Sequence, residues 1–316
     1  MTPSRHGTTR TRPPGQGLAA ATYSSNDRPS GLPGDPGSAA TLSSTMLSTA
    51  TPAPTLSSGH ASPPGWHIAW AQFAGPAHDR CEDSLAHRVF AGGGLALALA
   101  DGVSGGARGD VASRSAVEHC VSDLPAALVG DQDGLARWLK LIEARVQLAL
   151  RQVTFGSGAT TLVAAWLSCE PGPVAQGWLV HVGDSRAYRL SAPQGAGPAQ
   201  LQALTRDHNY AELGEPLPEG ATPDDLARMI GVGAMGEPPL QPLRLAPGDA
   251  LLLCSDGLHG FVTPAQLSLG LAKVKDAACA DISAAMALAA DALLAQAIAQ
   301  GSRDDISLLW AQYPAR

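Results

Sequence analysis

Short apolar runs bounded by turn residues dominate the chain from residue 66 onward and predict a strand-rich fold. Trp66, Ile68 and Trp70 alternate with smaller residues, which is typical of a half-buried strand. Leu95–Ala100 is continuously apolar and stops at Asp101-Gly102, which favours a buried strand over a helix. Further strands are predicted at 85–90, 160–167, 178–182, 187–190, 251–254 and 306–312.

Helical periodicity accounts for most of the remaining apolar residues. Residues 110–128 and the Ala/Leu-rich residues 277–300 each fit a helix. A third helix carries one apolar stripe, formed by Leu135, Trp138, Leu139, Ile142, Val146 and Leu150. Runs of strands interrupted by helical segments in two separate parts of the chain indicate an α+β layered sandwich instead of a βαβ arrangement.

Residues 1–65 differ from this pattern because they are rich in Ser, Thr, Pro and Gly and almost lack aliphatic clusters. Such a segment cannot bury enough apolar surface to offset its ordering entropy, so we predict a disordered tail over 1–65. It also lacks the apolar core of a secretory signal. One folded domain is expected over residues 66–316.

Charge and cysteine content narrow the classes of function. The net charge is -7, which argues against nucleic acid as a partner. No apolar stretch reaches about 18 uncharged residues, so no membrane partner is expected. The five cysteines form no CxxC pair and indicate reduced thiols in a cytoplasmic protein. They are Cys81, Cys120, Cys169, Cys254 and Cys279.

Acidic residues at the ends of predicted strands carry the candidate chemistry. A single aspartate there is usually a turn or cap residue, but several at one end of a sheet would converge and repel one another unless neutralised. Carboxylate oxygens in this number suit Mg²⁺ or Mn²⁺. The residues concerned are Glu82, Asp83, Asp101, Asp184, Asp256 and Asp304.

Seven short motifs, five of which contain these residues, occur in a recognisable order. They are Cys81-Glu82-Asp83-Ser84, Asp101-Gly102-Val103-Ser104-Gly105-Gly106, Gly158-Ala159-Thr160-Thr161, Gly183-Asp184-Ser185-Arg186, Thr205-Arg206-Asp207-His208, Ser255-Asp256-Gly257-Leu258 and Arg303-Asp304-Asp305-Ile306-Ser307. The series resembles the protein phosphatase 2C family of metal-dependent serine/threonine phosphatases, particularly its bacterial members, over roughly residues 66–312.

The resemblance implies a four-layer αββα sandwich, in which two antiparallel sheets are flanked by helix pairs. It also implies two core Mn²⁺ or Mg²⁺ ions, with a third that binds more weakly. Asp101 would bridge the core pair, the Gly102 carbonyl would ligate one ion, and Asp256 and Asp304 would ligate the other. Asp184 would bind the third ion together with Asp256, and Glu82 and Asp83 would hold metal-bound waters.

By the same resemblance, water activated between the two cations would hydrolyse phosphoserine or phosphothreonine without a phosphoenzyme. The expected substrates are phosphoproteins made by a serine/threonine kinase, and the expected state is a monomer.

Three departures from the family pattern affect substrate handling. The phosphate-binding arginine is commonly four residues before the glutamate, where this chain has His78, while Arg80 lies two residues before it. We favour Arg80 for this role. The usual histidine of the Asp-Gly-Met-Gly-Gly-His pattern is missing from residues 101–107, and the final Asp-Asn reads Asp304-Asp305.

Two other functions stay open from the sequence. Gly183-Asp184-Ser185 together with Asp256-Gly257-Leu258-His259 could belong to a GDSL-type serine hydrolase, in which serine and histidine must meet in space. A non-catalytic regulatory pseudophosphatase would keep the fold and lose the activity. The retained Asp101, Asp256 and Asp304 argue against this second alternative.

Overall fold

The computed structural model describes residues 56–76, 80–103, 108–154, 158–168, 174–191, 199–276 and 281–314. Its strands are β1 Leu56–Ala61, β2 His67–Phe73, β3 Ser84–Val89, β4 Leu95–Ala100, β5 Leu162–Ser168, β6 Ala175–Val182, β7 Arg186–Ser191, β8 Gln200–Ala203, β9 Gln241–Leu245, β10 Ala250–Cys254 and β11 Ile306–Gln312. Its helices are α1 Gly109–Val121, α2 Gln132–Thr154, α3 Tyr210–Leu213, α4 Asp256–His259, α5 Pro264–Asp276 and α6 Ile282–Ala299, with a 3₁₀ turn at Ala126–Leu128.

The strands form two antiparallel sheets that pack face to face. The six-stranded sheet has the order β1-β2-β11-β10-β7-β8, and the five-stranded sheet has the order β3-β4-β5-β6-β9. One hydrophobic cluster lies between the sheets. A second joins α1 and α2 to the five-stranded sheet, and a third joins α5 and α6 to the six-stranded sheet. The predicted αββα sandwich with flanking helix pairs is therefore confirmed.

Strand β4 shows why the central strands look continuously apolar in sequence. All six of its residues are buried. Leu95, Leu97 and Leu99 face the other sheet, whereas Ala96, Ala98 and Ala100 face the helices. Both faces of the strand are covered, so its period-two alternation is one of size and not of polarity. The alanine face packs against Ala112 and Ala116 of α1.

The fold begins before the boundary at residue 65 that composition suggested. Strand β1 pairs along its whole length with β2, from Leu56 opposite Phe73 to Ala61 opposite Ile68. Trp70 packs so closely on Gly59 that an added Cβ there would lie 2.3 Å from the indole ring. The folded domain therefore includes residues 56–65, which composition had assigned to the tail. The expected disorder of residues 1–55 concerns residues outside those described and stays a prediction.

Two predicted helices also have different limits in the structure. Helix α1 ends at Val121, seven residues before the expected end, and the 3₁₀ turn occupies the last part of that segment. Residues 277–280 lie outside the described residues, and α6 begins at Ile282 after an Asp281 cap that accepts from the Ala284 backbone N–H. Strands β8 and β9 and helices α3, α4 and α5 were not predicted.

Helix α6 is the one helix in the described ranges long and apolar enough to cross a membrane by length and composition. It packs against β1, β2 and α5. Met286, Ala290, Leu293 and Leu294 contribute to the cluster under the six-stranded sheet. This packing gives the helix a structural reason for its apolar composition.

We expect two N-terminal truncations to distinguish the predicted tail from the folded domain. Removing residues 1–55 should leave the melting temperature unchanged, because that segment lacks apolar periodicity. Removing residues 1–62 should lower it by several degrees, because β1 and the 2.7 Å Ser62–Ser283 hydroxyl hydrogen bond are lost. A loss of even about 2 kcal/mol shifts the melting temperature by roughly 4–8 °C in a domain of this size. Equal melting temperatures for the two variants in a calorimetric scan would contradict the revised boundary.

Candidate metal centre

The register of the five-stranded sheet brings the first two acidic positions together. Ser84, the first residue of β3, pairs with Ala100, the last residue of β4. Asp83 and Asp101 therefore extend from the same end of two neighbouring antiparallel strands.

The register of the six-stranded sheet does the same for the other three. Cys254, the last residue of β10, pairs with Arg186, the first residue of β7, on one side and with Leu308, the third residue of β11, on the other. Asp256 follows β10, Asp184 precedes β7 and Asp304 precedes β11. All five aspartates consequently lie at one end of the sandwich.

The electrostatics of Asp101 confirm that this group is compact. Burial raises the pKa of Asp101 well above its usual range, and repulsion from the carboxylates of Asp83, Asp256, Asp184 and Asp304 raises it further. Each of the four other carboxylates therefore lies within electrostatic reach of Asp101.

The neighbours of Asp101 show shifts of the same sign. Burial raises the pKa of Asp184 to about 7, with a further contribution from repulsion by Asp256. The pKa of Asp256 is also raised, by burial and then by Asp304, although a hydrogen bond with Asp101 partly offsets this. A cluster of this kind is stable only when protons or cations neutralise it.

The backbone of Asp101 is held by two threonines of the Gly158–Thr161 motif. The Asp101 N–H donates to the Thr161 hydroxyl at 2.9 Å, and the Asp101 carbonyl accepts from the Thr161 N–H and the Thr160 hydroxyl, both at 2.8 Å. The Thr161 hydroxyl also lies 2.7 Å from that of Ser185. Thr161 thereby links the end of the Asp101 strand to the Asp184 turn, which connects the two sheets.

Gly102 is required by a close approach of α1. A Cβ on Gly102 would lie 2.5 Å from the Gly109 carbonyl carbon. A Cβ on Gly109 would in turn lie 3.0 Å from the Glu82 carboxylate. The start of α1 therefore packs against both Gly102 and Glu82, and a side chain at either glycine would force them apart.

The contacts of Asp305 explain why this chain can have an aspartate at the position where the family commonly has asparagine. Its two carboxylate oxygens accept from the backbone N–H of Gly75 at 2.8 Å and of Glu82 at 2.6 Å. Nearby, the Ser255 hydroxyl donates to Asp83 at 2.9 Å. These bonds fix the segment that carries the predicted residues Glu82 and Asp83. Asp305 and Ser255 both belong to quoted motifs, but these contacts were not predicted from the sequence.

The turn carrying Asp184 is braced by an ion pair and a histidine. Arg186 donates Nε and Nη2 to the two oxygens of Asp207, each at 2.8 Å. His259 Nε2 lies 3.0 Å from the Asp184 carbonyl oxygen, and burial lowers the pKa of His259 to about 4. A neutral His259 therefore donates to this carbonyl, a positioning role that the sequence did not reveal.

The same contacts contradict a serine hydrolase. Ser185 is buried and its hydroxyl is hydrogen-bonded to Thr161. His259 contacts the carbonyl of Asp184 and not the Ser185 hydroxyl. The serine is therefore neither accessible nor paired with the histidine that this alternative requires.

The predicted phosphate-binding residue Arg80 lies at the edge of the site. Its side chain is 55% exposed, and its Nη1 is 3.7 Å from an oxygen of Asp110. The competing position His78 falls outside the described residues, as does the segment 104–107 where the family histidine is missing.

The donor chemistry fits a divalent cation. Asp83 Oδ1 and Asp256 Oδ1 are buried and have no hydrogen-bond partner within the described residues. In those same ranges no three acidic, histidine or cysteine side chains already surround one point at ligand distance. The Asp101–Asp256 hydrogen bond draws two of the carboxyl groups onto each other instead. Hard oxygen donors with unsatisfied lone pairs are what Mg²⁺ and Mn²⁺ prefer.

Comparison with known proteins identifies the class to which this fold and site belong. The sequence model of protein phosphatase 2C matches residues 76–293. The chain therefore belongs to the protein phosphatase 2C family.

Named relatives of the chain are bacterial serine/threonine phosphatases. PstP of Mycobacterium tuberculosis is 32% identical over 190 residues, which are 55% of this chain and 34% of PstP, so the match spans about a third of that protein. The phosphatase stp of Listeria welshimeri is 29% identical over 67% of this chain and 81% of its own length. The PstP catalytic domain in complex with two manganese ions superposes with a TM-score of 0.56 at 27% identity, covering 78% of this chain and 97% of that one.

We expect the raised pKa of Asp184 to make the metal-free protein sensitive to pH. A carboxyl with a pKa of about 7 when folded and about 3.9 when unfolded keeps a proton that the unfolded chain releases. Its contribution to stability is therefore lost as the pH rises from about 4 to about 7. The advantage of Asp184→Asn over the wild type in EDTA should grow over this range, on the order of 2–4 kcal/mol.

The comparison with Asp184→Asn is needed because His208 and His259 act in the opposite direction. Burial lowers the pKa of each to about 4, so their neutral forms are lost on acidification. Urea denaturation of both proteins at pH 5, 6 and 7.5 cancels this common contribution. A difference in unfolding free energy that does not change with pH would show that the pKa of Asp184 is not raised.

Proposed function

We propose that the chain is a metal-dependent phosphoprotein phosphatase that hydrolyses phosphoserine and phosphothreonine with water as the attacking group. The convergence of five aspartates at one end of the sandwich, two of them with buried oxygens that lack a partner in the described residues, is the observation that carries the proposal. Family membership and the manganese-containing structural neighbour support it.

The first group of predicted residues would bind the cations directly. Asp101, the Gly102 carbonyl, Asp256 and Asp304 would bind two Mn²⁺ or Mg²⁺ ions, with Asp101 shared between them. Asp184 would bind a third ion with Asp256. When bound, the cations supply activation of the attacking water and neutralise phosphate charge.

The remaining predicted residues act around this core. Glu82 and Asp83 would accept hydrogen bonds from waters at the edge of the site. Arg80, which is exposed, would bind the phosphoryl oxygens through its planar guanidinium. The substrates are phosphoproteins produced by a serine/threonine kinase, and the monomeric, cytoplasmic state stays a prediction.

The activity should depend completely on a divalent cation. We expect the purified chain to hydrolyse a phosphothreonine peptide with Mn²⁺ or Mg²⁺ and to lose this activity in EDTA, with recovery on adding the metal back. Activity in EDTA that a serine-directed inhibitor abolishes would contradict the proposal. Calorimetric Mn²⁺ binding without hydrolysis of any phosphopeptide would instead favour the regulatory pseudophosphatase.

Asp101→Ala and Asp184→Ala should have different effects. Loss of Asp101 should reduce kcat by about 10³-fold or more, because a group shared by both core ions is removed, and should abolish tight Mn²⁺ binding. Loss of Asp184 should slow turnover roughly tenfold and spare the core pair. The measurements are Mn²⁺ titration by calorimetry and steady-state kinetics. Equal loss of tight metal binding in the two variants would refute the division into core and outer ligands.

A further inference from the structure

Two arginines share one buried carboxylate beside the candidate metal centre. Asp110 lies in the first turn of α1, and its side chain is 5% exposed. Arg108 donates Nε to Asp110 Oδ1 at 2.7 Å and Nη2 to Oδ2 at 3.0 Å. Arg80 Nη1 lies 3.7 Å from the same Oδ2. The two guanidinium groups are therefore close enough for one small anion to contact both.

Both arginines leave the backbone next to predicted metal-centre residues. Arg80 is two residues before Glu82. Arg108 directly precedes Gly109, whose backbone packs against Gly102 and against the Glu82 carboxylate. An anion that touches both guanidinium groups would consequently lie at the edge of the acidic cluster, where the phosphoryl group of a substrate must enter.

The charge of this group is positive at neutral pH. Hydrogen bonds from Arg108 lower the pKa of Asp110, so that its carboxyl group is ionised, and Arg80 and Arg114 contribute in the same direction. One carboxylate therefore faces at least two guanidinium groups.

The Arg108 side chain is held and is also accessible. Asp110 engages two of its five N–H donors, which fixes the plane of the guanidinium group. The side chain remains 29% exposed. A planar donor fork that is fixed on one edge and open on another suits bidentate recognition of a phosphate group.

We propose that Arg108 is a second phosphate-binding residue: Arg108 and Arg80 together bind the dianionic phosphoryl group of the substrate, and Asp110 positions Arg108. This inference rests on the proposed function, since it assigns the substrate-binding arginines of the same site. It also supplies the guanidinium fork that His78, at the usual arginine position, cannot provide.

The test measures phosphate binding apart from turnover. Inorganic phosphate is titrated calorimetrically into the full-length, Mn²⁺-loaded chain, and KM and kcat are measured on a phosphothreonine peptide. Arg108→Ala should weaken phosphate binding and raise KM by roughly tenfold or more, with Mn²⁺ affinity unchanged. Arg108→Lys keeps the charge without the fork and should recover only part of this loss. It also serves as the second variant if Arg108→Ala is poorly folded.

Arg189→Ala is the matched control. Arg189 pairs with Asp249 at 2.6 Å, and the exposures of 30% and 4% nearly equal those of Arg108 and Asp110. Asp249 precedes β10, at the opposite end of that strand from Asp256. Phosphate affinity should be unchanged in this variant. Unchanged phosphate affinity in Arg108→Ala, or an equal loss in Arg189→Ala, would overturn the proposal.

Asp110→Asn tests the positioning role. If Asp110 acts through Arg108, its substitution should raise KM in the wild-type background and add nothing in the Arg108→Ala background, as a double-mutant cycle measures. Additive effects would refute this role. A chain that binds phosphate through Arg108 but hydrolyses no phosphopeptide would refute the proposed function and leave Arg108 as a phosphate ligand. Hydrolysis with unaltered phosphate affinity in Arg108→Ala would refute the Arg108 inference alone.

Discussion

The mutual repulsion of five aspartates at one end of the sandwich is the constraint on which the rest of the structure depends. The pKa of Asp101 is raised by burial and by repulsion from each of the other four aspartates. Without interactions that oppose it, this repulsion would separate the ends of the strands. Here the strand pairing continues to within two residues of each aspartate, so the ladder hydrogen bonds resist that movement.

Hydrogen bonds from uncharged groups also hold the aspartates in place, and they add no positive charge. Thr160 and Thr161 hold the backbone of Asp101, and Ser255 holds the side chain of Asp83. Hydroxyl groups suit this task because they donate or accept as needed and leave the carboxylate charge available to a cation. Arg186 is two residues from Asp184, yet its Nε and Nη2 donate to Asp207. Positive charge at this end of the sandwich would thus come from the proposed cations and from the arginines at the edge.

Periodicity predicted the central strands well and the edges poorly. Strands β4 and β11 were predicted with their observed limits, since both are strongly apolar and bounded by polar turns. Strand β1 was missed because an edge strand with one covered face can be built from serine, glycine and histidine. Strand β9 contains Pro242, which lowers its strand signal. Helix α5, which was also missed, contains Gly270, and Leu293 of α6 packs closely against this glycine.

The sequence also predicted some parts of the candidate site better than others. The acidic positions could be predicted because a strand end is a local feature of sequence, and their convergence follows from pairing alone. The roles of Asp305 and His259 could not be predicted, although both stand in quoted motifs, because each acts through a contact with a residue far away in sequence. Arg108 contacts Asp110 only two residues away, but the sequence does not show that Arg80 reaches the same carboxylate. Sequence motifs therefore indicate the acidic cluster better than the groups that hold it in place.

The alanine face of β4 sets the distance between α1 and the sheet. Because α1 rests on methyl groups at Ala98 and Ala100, its first turn reaches Gly102 and brings Arg108 with it. A valine at Ala100 would act as a spacer, lifting the helix and moving the guanidinium group of Arg108 away from the substrate. Inactivating substitutions in a genetic screen would then include interior alanines that touch neither metal nor phosphate, and such alleles would look like active-site mutants while mapping to the core.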